Sequence, residues 1–160
     1  MVERFISRGG GNFNSWNLVP HVSVYSTIAF VSDKDGPPRI YTIPANSYEK
    51  RADAKMITKQ NKESSCPAWS PDGTKLAYSA KTNAVRQIWI YDFKTGEERQ
   101  LTAGPGNKEN PCWAPDSLHL VFNSTDPFSS ELFLVNLNQP EAIKLAHGPG
   151  KKHYPTWGQK

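Results

Sequence analysis

Short apolar runs of strand length alternate with polar turns along most of the chain. The runs at residues 75–80, 87–93 and 98–102 return 44 residues later in the same order. In Ile88-Trp89-Ile90-Tyr91 both faces of the run are apolar, as expected for a strand buried between two layers. Glycine, proline and aspartate separate the runs, which is typical of β-strands joined by tight turns. We therefore predict an all-β chain.

Three tryptophans mark a repeat in the sequence. Trp69, Trp113 and Trp157 are each 44 residues apart, and the first two stand in the related motifs PAWSPDG and PCWAPDS. A repeat of this length with four short strands is typical of a β-propeller blade, a small antiparallel sheet that buries its faces against neighbouring blades. We predict about three blades of an incomplete ring. The predicted boundaries are 1–26 for an irregular or degenerate segment, 27–66, 67–110 and 111–154 for the blades, and 155–160 for a closing strand.

The residues around each tryptophan predict a tight turn and a core position. In such a turn proline presets φ, aspartate bonds the turn backbone, and glycine adopts a positive φ. The indole is predicted to fill the wedge between successive blades, with a sugar-stacking platform as the less favoured alternative. The predicted structural residues of the repeat are Trp69, Pro71, Asp72, Gly73, Trp113, Pro115, Asp116 and Trp157.

The repeated motif, its period and the segments IAFVSDKDGPPRIYTI and RQIWIYDFKTGEERQLT together resemble the propellers of the TolB family, part of the bacterial Tol-Pal envelope system. The resemblance covers residues 27–160 and implies the C-terminal half of a propeller. It also implies a periplasmic location, binding of the peptidoglycan-associated lipoprotein Pal and of Tol proteins, and a role in envelope integrity and cell division. Similar motifs occur in propellers attached to prolyl oligopeptidase-like peptidases. A non-catalytic peptidase propeller and a truncated remnant without function are therefore the alternatives.

Charge and hydropathy exclude several other classes of function. The net charge of +4 comes from basic residues that are spread along the chain among acidic ones, so a nucleic-acid partner is not predicted. No run approaches the roughly 20 apolar residues of a membrane-spanning helix, so membrane insertion is not predicted. Residues 1–10 lack the apolar core of a secretory signal, and we expect no signal peptide in this chain.

No constellation of residues typical of catalysis occurs in the sequence. It has no GxSxG elbow, no HExxH pair, no glycine-rich phosphate loop and no EF-hand loop, so we predict a protein that is not an enzyme and needs no cofactor. His147 and His153 flank one loop but lack acidic or thiol neighbours, and no metal site is predicted. Cys66 and Cys112 are interpreted as free thiols, with a bond between neighbouring inner strands as the alternative.

The loops at one end of the blades are the predicted site of recognition. Connections between second and third strands lie at the same end as the linkers between blades, and these segments vary most between repeats. Loops on a rigid frame are where binding residues concentrate. The open sheet faces at both ends of the arc also predict self-association or marginal stability. The candidate partner-binding residues are Asp33, Lys34, Asp35, Arg39, Lys81, Arg86, Lys108, Glu109 and Phe128.

Overall fold

The computed structural model describes residues 27–45 and 54–158, and within them the chain forms three antiparallel sheets. The sheets have the orders β1-β2-β3, β4-β5-β6-β7 and β11-β10-β9-β8, so each follows the chain as a simple meander. This confirms the prediction of an all-β chain of propeller blades in an open arrangement. The strands are β1 (Thr27–Ser32), β2 (Arg39–Pro44), β3 (Lys55–Met56), β4 (Ser64–Trp69), β5 (Lys75–Thr82), β6 (Val85–Asp92), β7 (Glu97–Gln100), β8 (Asn107–Trp113), β9 (His119–Thr125), β10 (Ser130–Asn136) and β11 (Gln139–Lys144).

Apolar side chains fill the spaces between consecutive sheets. The middle sheet is buried on both faces, because neighbouring β5 residues such as Leu76 and Ala77 point to opposite sides and are both 0% exposed. One core cluster joins the first and second sheets, and another joins the second and third. The first cluster contains Ala29, Ile40, Ile57, Leu76, Tyr78, Ala80 and Trp89, and the second contains Ala77, Ile88, Ile90, Leu101, Trp113, Leu120, Phe122, Val135 and Leu137.

The first strands of the second and third sheets share a bulge. The pairing of β4 with β5 shifts register between Ser65 and Ala68, and that of β8 with β9 shifts at the equivalent point. Cys66 and Asn110 stand at the two shifts with φ of 52° and 53°, and Tyr154, a further 44 residues along, has φ of 53°. A residue with positive φ breaks the ladder and bends its strand. The repeat therefore preserves backbone shape as well as hydrophobic pattern.

The SPDG-type turns connect the first two strands of each of these two sheets. Asp72 accepts hydrogen bonds from the Ser70 hydroxyl at 2.6 Å and from the Thr74 backbone nitrogen at 3.0 Å. Gly73 donates its N–H to the Ser70 oxygen at 2.9 Å and has φ of 69°, which glycine adopts without strain. The third sheet carries Ser117 at the equivalent position with φ of 57°. Asp72 is thus used within its own turn.

Trp113 and Trp69 lie at equivalent places in different surroundings. Trp113 is 5% exposed between the second and third sheets. Trp69 is half-buried beside the cluster of the first two sheets, and its ring stacks on Phe93 at 4.7 Å between centroids. Trp157 is 40% exposed. How deeply each indole is buried depends on the sheet beside it.

Some predicted boundaries differ from the structure. The second and third sheets begin at Ser64 and Asn107, because their first strands continue upstream through the bulge, so the predicted starts at 67 and 111 fall inside β4 and β8. Residues 155–158 form no strand, although the Trp157 nitrogen donates to the Cys112 sulfur at 3.3 Å and this contact holds the segment against β8. The predicted segment at 1–26 and residues 159–160 lie outside the described residues.

Candidate partner-binding surface

The loops between second and third strands meet the linkers between blades at one end of the sheets. The Ser64 nitrogen donates to the Pro38 oxygen at 2.8 Å, which joins the first sheet's loop to the start of β4. The Arg86 nitrogen donates to the Asn107 side chain at 2.9 Å, which joins the second sheet's loop to the start of β8. We call this end, formed by residues 33–39, 59–64, 81–86, 103–109, 126–130 and 146–153, the loop end.

Arg86 stands at the centre of an ion-pair cluster on the loop end. Its guanidinium lies 3.3 Å from Glu63 and 3.6 Å from Glu109, and it donates a hydrogen bond of 3.0 Å to the Ser65 hydroxyl. The Lys81 ammonium lies 3.3 Å from the same Glu63 carboxylate. Three predicted residues, Lys81, Arg86 and Glu109, therefore come together. Because the cluster holds two cations and two carboxylates, it offers fixed polar groups with almost no net charge.

The loop of the first sheet forms a second polar cluster. Asp35 accepts a hydrogen bond of 2.7 Å from the Tyr41 hydroxyl, and the Lys34 ammonium lies 3.0 Å from the same carboxylate. The hydrogen bond from Tyr41, followed by that from Lys34, lowers the pKa of Asp35. Lys34 also lies 4.8 Å from the centroid of the Tyr41 ring. Asp33, Lys34 and Asp35 are exposed, whereas Arg39 is half-buried.

Phe128 is the most exposed large apolar side chain of the loop end, at 91%. The turn that carries it is held by Asp126, whose carboxylate accepts N–H bonds from Phe128 at 2.8 Å and Ser129 at 2.7 Å. These bonds, that from Ser129 first, lower the pKa of Asp126. The ring is therefore displayed on a braced turn.

Lys108 is not available to a partner, which corrects its inclusion among the candidate binding residues. It is 7% exposed, and its ammonium donates to the oxygens of Gly104 at 3.0 Å and Gly106 at 3.2 Å, and to that of Pro105. Burial lowers the pKa of this lysine. Lys152, 44 residues later, closes the next Gly-Pro-Gly linker in the same way. The residue is structural because the linker folds back over its side chain.

Sequence reasoning missed two residues that organise this surface. Glu63 bridges Lys81 and Arg86, but it precedes the repeat motif and has no distinguishing neighbours in sequence. Asp126 braces the Phe128 turn, and the Asp-Pro-Phe-Ser pattern carried a signal for it, since aspartate at the start of a turn commonly bonds the backbone two residues on.

Metal-ligating side chains do not cluster in the described part of the chain. Within residues 27–45 and 54–158 no group of three or more histidine, cysteine or acidic side chains is placed to hold a metal ion. Cys66 and Cys112 are free thiols, and Cys66 donates to the Asn110 side chain at 3.4 Å. In this same part of the chain, no helix has the length and apolar character needed to cross a bilayer.

Comparison with known proteins decides the family. Residues 19–160 match the TolB beta propeller domain. The chain belongs to the TolB β-propeller family. This confirms the resemblance inferred from the tryptophan motifs.

Two TolB relatives illustrate the kinship. A segment of 61 residues, 38% of this chain, is 66% identical to the TolB homolog of Protochlamydia amoebophila and covers 13% of that protein. A segment of 80 residues, 50% of this chain, is 32% identical to the Tol-Pal system protein TolB of Histophilus somni and covers 18% of it. The matched part of this chain is therefore a small fraction of each TolB relative.

Solved structures agree on the fold. A TolB structure from Agrobacterium tumefaciens aligns with a TM-score of 0.72 at 24% identity, over 81% of this chain and 45% of that one. A dipeptidyl peptidase 4 from Porphyromonas gingivalis shares the fold with a TM-score of 0.58 at 16% identity, over 76% of this chain and 17% of that one. The chain thus spans less than half of the TolB structure that it resembles.

Proposed function

We propose that this chain is a non-catalytic protein-binding propeller segment of the Tol-Pal system, and that its loop end docks a Pal-like lipoprotein. Tol proteins are the further partners of the proposed function, and the periplasm is its proposed location. One observation carries the proposal. In a chain of the TolB family, Phe128 is 91% exposed on the same loop end as the charged clusters around Arg86 and Asp35.

The composition of the loop end suits a protein partner. Interfaces between proteins combine aromatic anchors with a polar rim, and arginine is enriched among their contact residues. Here Phe128 would be the anchor, while Lys34, Asp35, Lys81 and Arg86 would supply the rim. Because positive and negative groups alternate across this surface, it suits a partner of mixed charge better than a polyanion.

The proposal is tested by capture of a soluble Pal-like lipoprotein domain on the immobilised full chain. We expect Phe128→Ser to weaken binding about tenfold or more, because an anchor side chain contributes about 2 kcal/mol. Lys34→Glu combined with Lys81→Glu should reduce the association rate and its salt dependence. All of these side chains are exposed, so the variants should fold like the parent chain.

Leu118→Ser is the matched control. Leu118 is 44% exposed and lies in the turn between β8 and β9, at the opposite end of the third sheet from Phe128. It should leave capture unchanged. Equal losses with Leu118→Ser and Phe128→Ser, or capture that is indifferent to both, would exclude the loop end as the docking surface.

A further inference from the structure

Each pair of neighbouring sheets packs two different faces together. We call the face of a sheet that packs on the next sheet along the chain its outgoing face, and the opposite one its incoming face. The second sheet's outgoing face carries Ala77, Ile88, Ile90 and Leu101, all in the cluster shared with the third sheet. Its incoming face is larger and more aromatic, and it carries Leu76, Tyr78, Ala80 and Trp89, with Tyr91 beside them.

The outgoing face of the third sheet repeats that of the second but is covered less completely. The chain's own segment 152–157 lies along it, because the Lys152 nitrogen donates to the Ser130 oxygen at 2.9 Å and the Trp157 nitrogen to the Cys112 sulfur at 3.3 Å. Ile88, Ile90 and Leu101 are 0%, 1% and 4% exposed where the third sheet covers them. The residues 44 positions later are also apolar: Leu132 and Leu134 are half-buried, and Leu145 is 46% exposed. Ile143, which pairs with Leu134 across the sheet, is 63% exposed. The outer part of this face, around Ile143 and Leu145, is thus exposed although the equivalent face of the second sheet is buried.

The incoming face of the first sheet also carries large apolar side chains. Ala29 and Val31 of β1 point toward the second sheet, so Ile28 and Phe30, which alternate with them, point the other way. Ile28 pairs with Ile43 across the sheet, and Phe30 stacks on Tyr41 at 5.9 Å between centroids. Ile28, Phe30 and Ile43 are only half-buried. The equivalent positions on the incoming faces of the second and third sheets also carry large apolar side chains.

We propose that two copies of this chain associate head to tail, with the outgoing face of the third sheet of one copy on the incoming face of the first sheet of the other. The contact continues the interface already present between the first and second sheets and between the second and third. A second copy is the occupant that brings an incoming face of this same kind. The surface is distinct from the loop end, so this inference does not depend on the proposed function.

The proposed contact is heterologous, because its two halves are different surfaces. A copy that has lost either face can therefore still use the other. This property separates the proposal from a symmetric dimer of two outgoing faces, in which loss of the incoming face would have no effect.

The test is the mass of the full 160-residue chain, of 17.9 kDa, by sedimentation velocity at tens of micromolar. We expect species of two or more copies for the parent chain. Leu145→Glu, on the outgoing face, and Ile28→Glu, on the incoming face, should each give a folded monomer. Mixed in equal amounts, they should form a two-copy species that grows no further, because one intact pair of faces remains. Leu118→Ser, in the turn between β8 and β9, changes neither face and should sediment like the parent chain.

Three outcomes would overturn the proposal. These are a monomeric parent chain, two folded monomeric variants that do not combine, and an Ile28→Glu variant that still associates like the parent. Circular dichroism establishes that each variant is folded. Should Leu145→Glu or Ile28→Glu unfold, Ile143→Glu and Ile43→Glu place the charge on the same respective faces and give the same test.

Discussion

The indole nitrogen of Trp113 donates a hydrogen bond of 2.9 Å to the backbone oxygen of Ala68 on the neighbouring sheet. This bond ties the first strand of the third sheet to the first strand of the second. The indole nitrogen of Trp69 is also buried, but it has no hydrogen-bond partner within the described residues. The tryptophan of the repeat therefore stabilises the contact with the preceding sheet, and its contribution depends on the acceptor that this sheet provides.

We expect Trp113→Phe to lower the free energy of unfolding by about 2 to 3 kcal/mol. The change removes part of a buried ring and leaves the Ala68 oxygen without its donor. Trp157→Phe should change the value by less than about 0.5 kcal/mol, because that indole is 40% exposed. Urea denaturation of both variants measures the difference. Equal effects would mean that Trp113 is not a link between sheets.

The sequence was sufficient to predict most of the strands, though not the starts of β4 and β8, because most strand positions follow from local pattern. Two features can be recognised without tertiary information. They are apolar runs whose side chains alternate between the two faces of a strand, and a tryptophan every 44 residues. The turn role of Asp72 was predictable for the same reason, since its hydrogen bonds stay within a few residues.

The role of Lys108 could not be predicted in this way. Its ammonium is buried because a Gly-Pro-Gly linker returns over it, and that path depends on how two sheets stack. The cluster around Arg86 likewise joins Glu63 and Glu109, which are separated by slightly more than one repeat in sequence. The sequence placed charged residues on the loop end, but only the fold determines which of them are free for a partner.

We expect Asp116 to make the free energy of unfolding depend on pH below about pH 4. Hydrogen bonds from the Leu118 backbone nitrogen, and then from the side chain and backbone of His119, lower the pKa of Asp116 from 3.8 to about 2. Because the folded-state pKa is depressed, the stabilisation is present above the unfolded value and is lost as the pH falls through about 2.

Asp116→Asn should therefore flatten the decline in unfolding free energy between about pH 4 and pH 2. Urea denaturation at a series of pH values for the parent chain and the variant provides the measurement. Only the slope is diagnostic, because the carboxylate is substantially exposed and solvent reduces its contribution. A variant whose acid slope matches that of the parent would show that the Asp116 turn does not hold a proton-sensitive contact.

Replacement of Lys108 by methionine should destabilise the chain by about 2 to 3 kcal/mol. Methionine fills a similar volume but leaves the oxygens of Gly104 and Gly106 without the charged donor that lies 3.0 and 3.2 Å from them. Lys152→Met removes the equivalent donor from a linker that is more exposed to water, together with an ion pair of 3.2 Å to Glu131. Because Glu131 also keeps Lys144 at 3.4 Å, the effect should still be smaller. Chemical denaturation of the two variants gives the comparison. A larger loss for Lys152→Met would contradict the structural role of Lys108.

A threonine two residues after the last strand of the sheet recurs in two of the three repeats. Thr58 accepts a hydrogen bond of 3.0 Å from the Ile40 nitrogen, and Thr102 accepts one of 2.9 Å from the Ile88 nitrogen. The third repeat has Ala146 at this place. The backbone there has the same geometry, since the residue before it donates its N–H at 2.8 Å in both the second and third sheets.

Ala146→Thr should therefore supply the missing hydroxyl and raise the free energy of unfolding by about 0.5 to 1.5 kcal/mol. Ala146→Val is the matched control, because valine has nearly the shape of threonine but offers no acceptor to the backbone. The reciprocal change Thr102→Val should cost about 1 to 3 kcal/mol, since the Ile88 nitrogen and the Gln87 side chain, at 2.9 Å, would both lose their partner. If valine at 146 stabilised the chain as much as threonine, the gain would come from packing, and the hydrogen bond would not be the element that the repeats share.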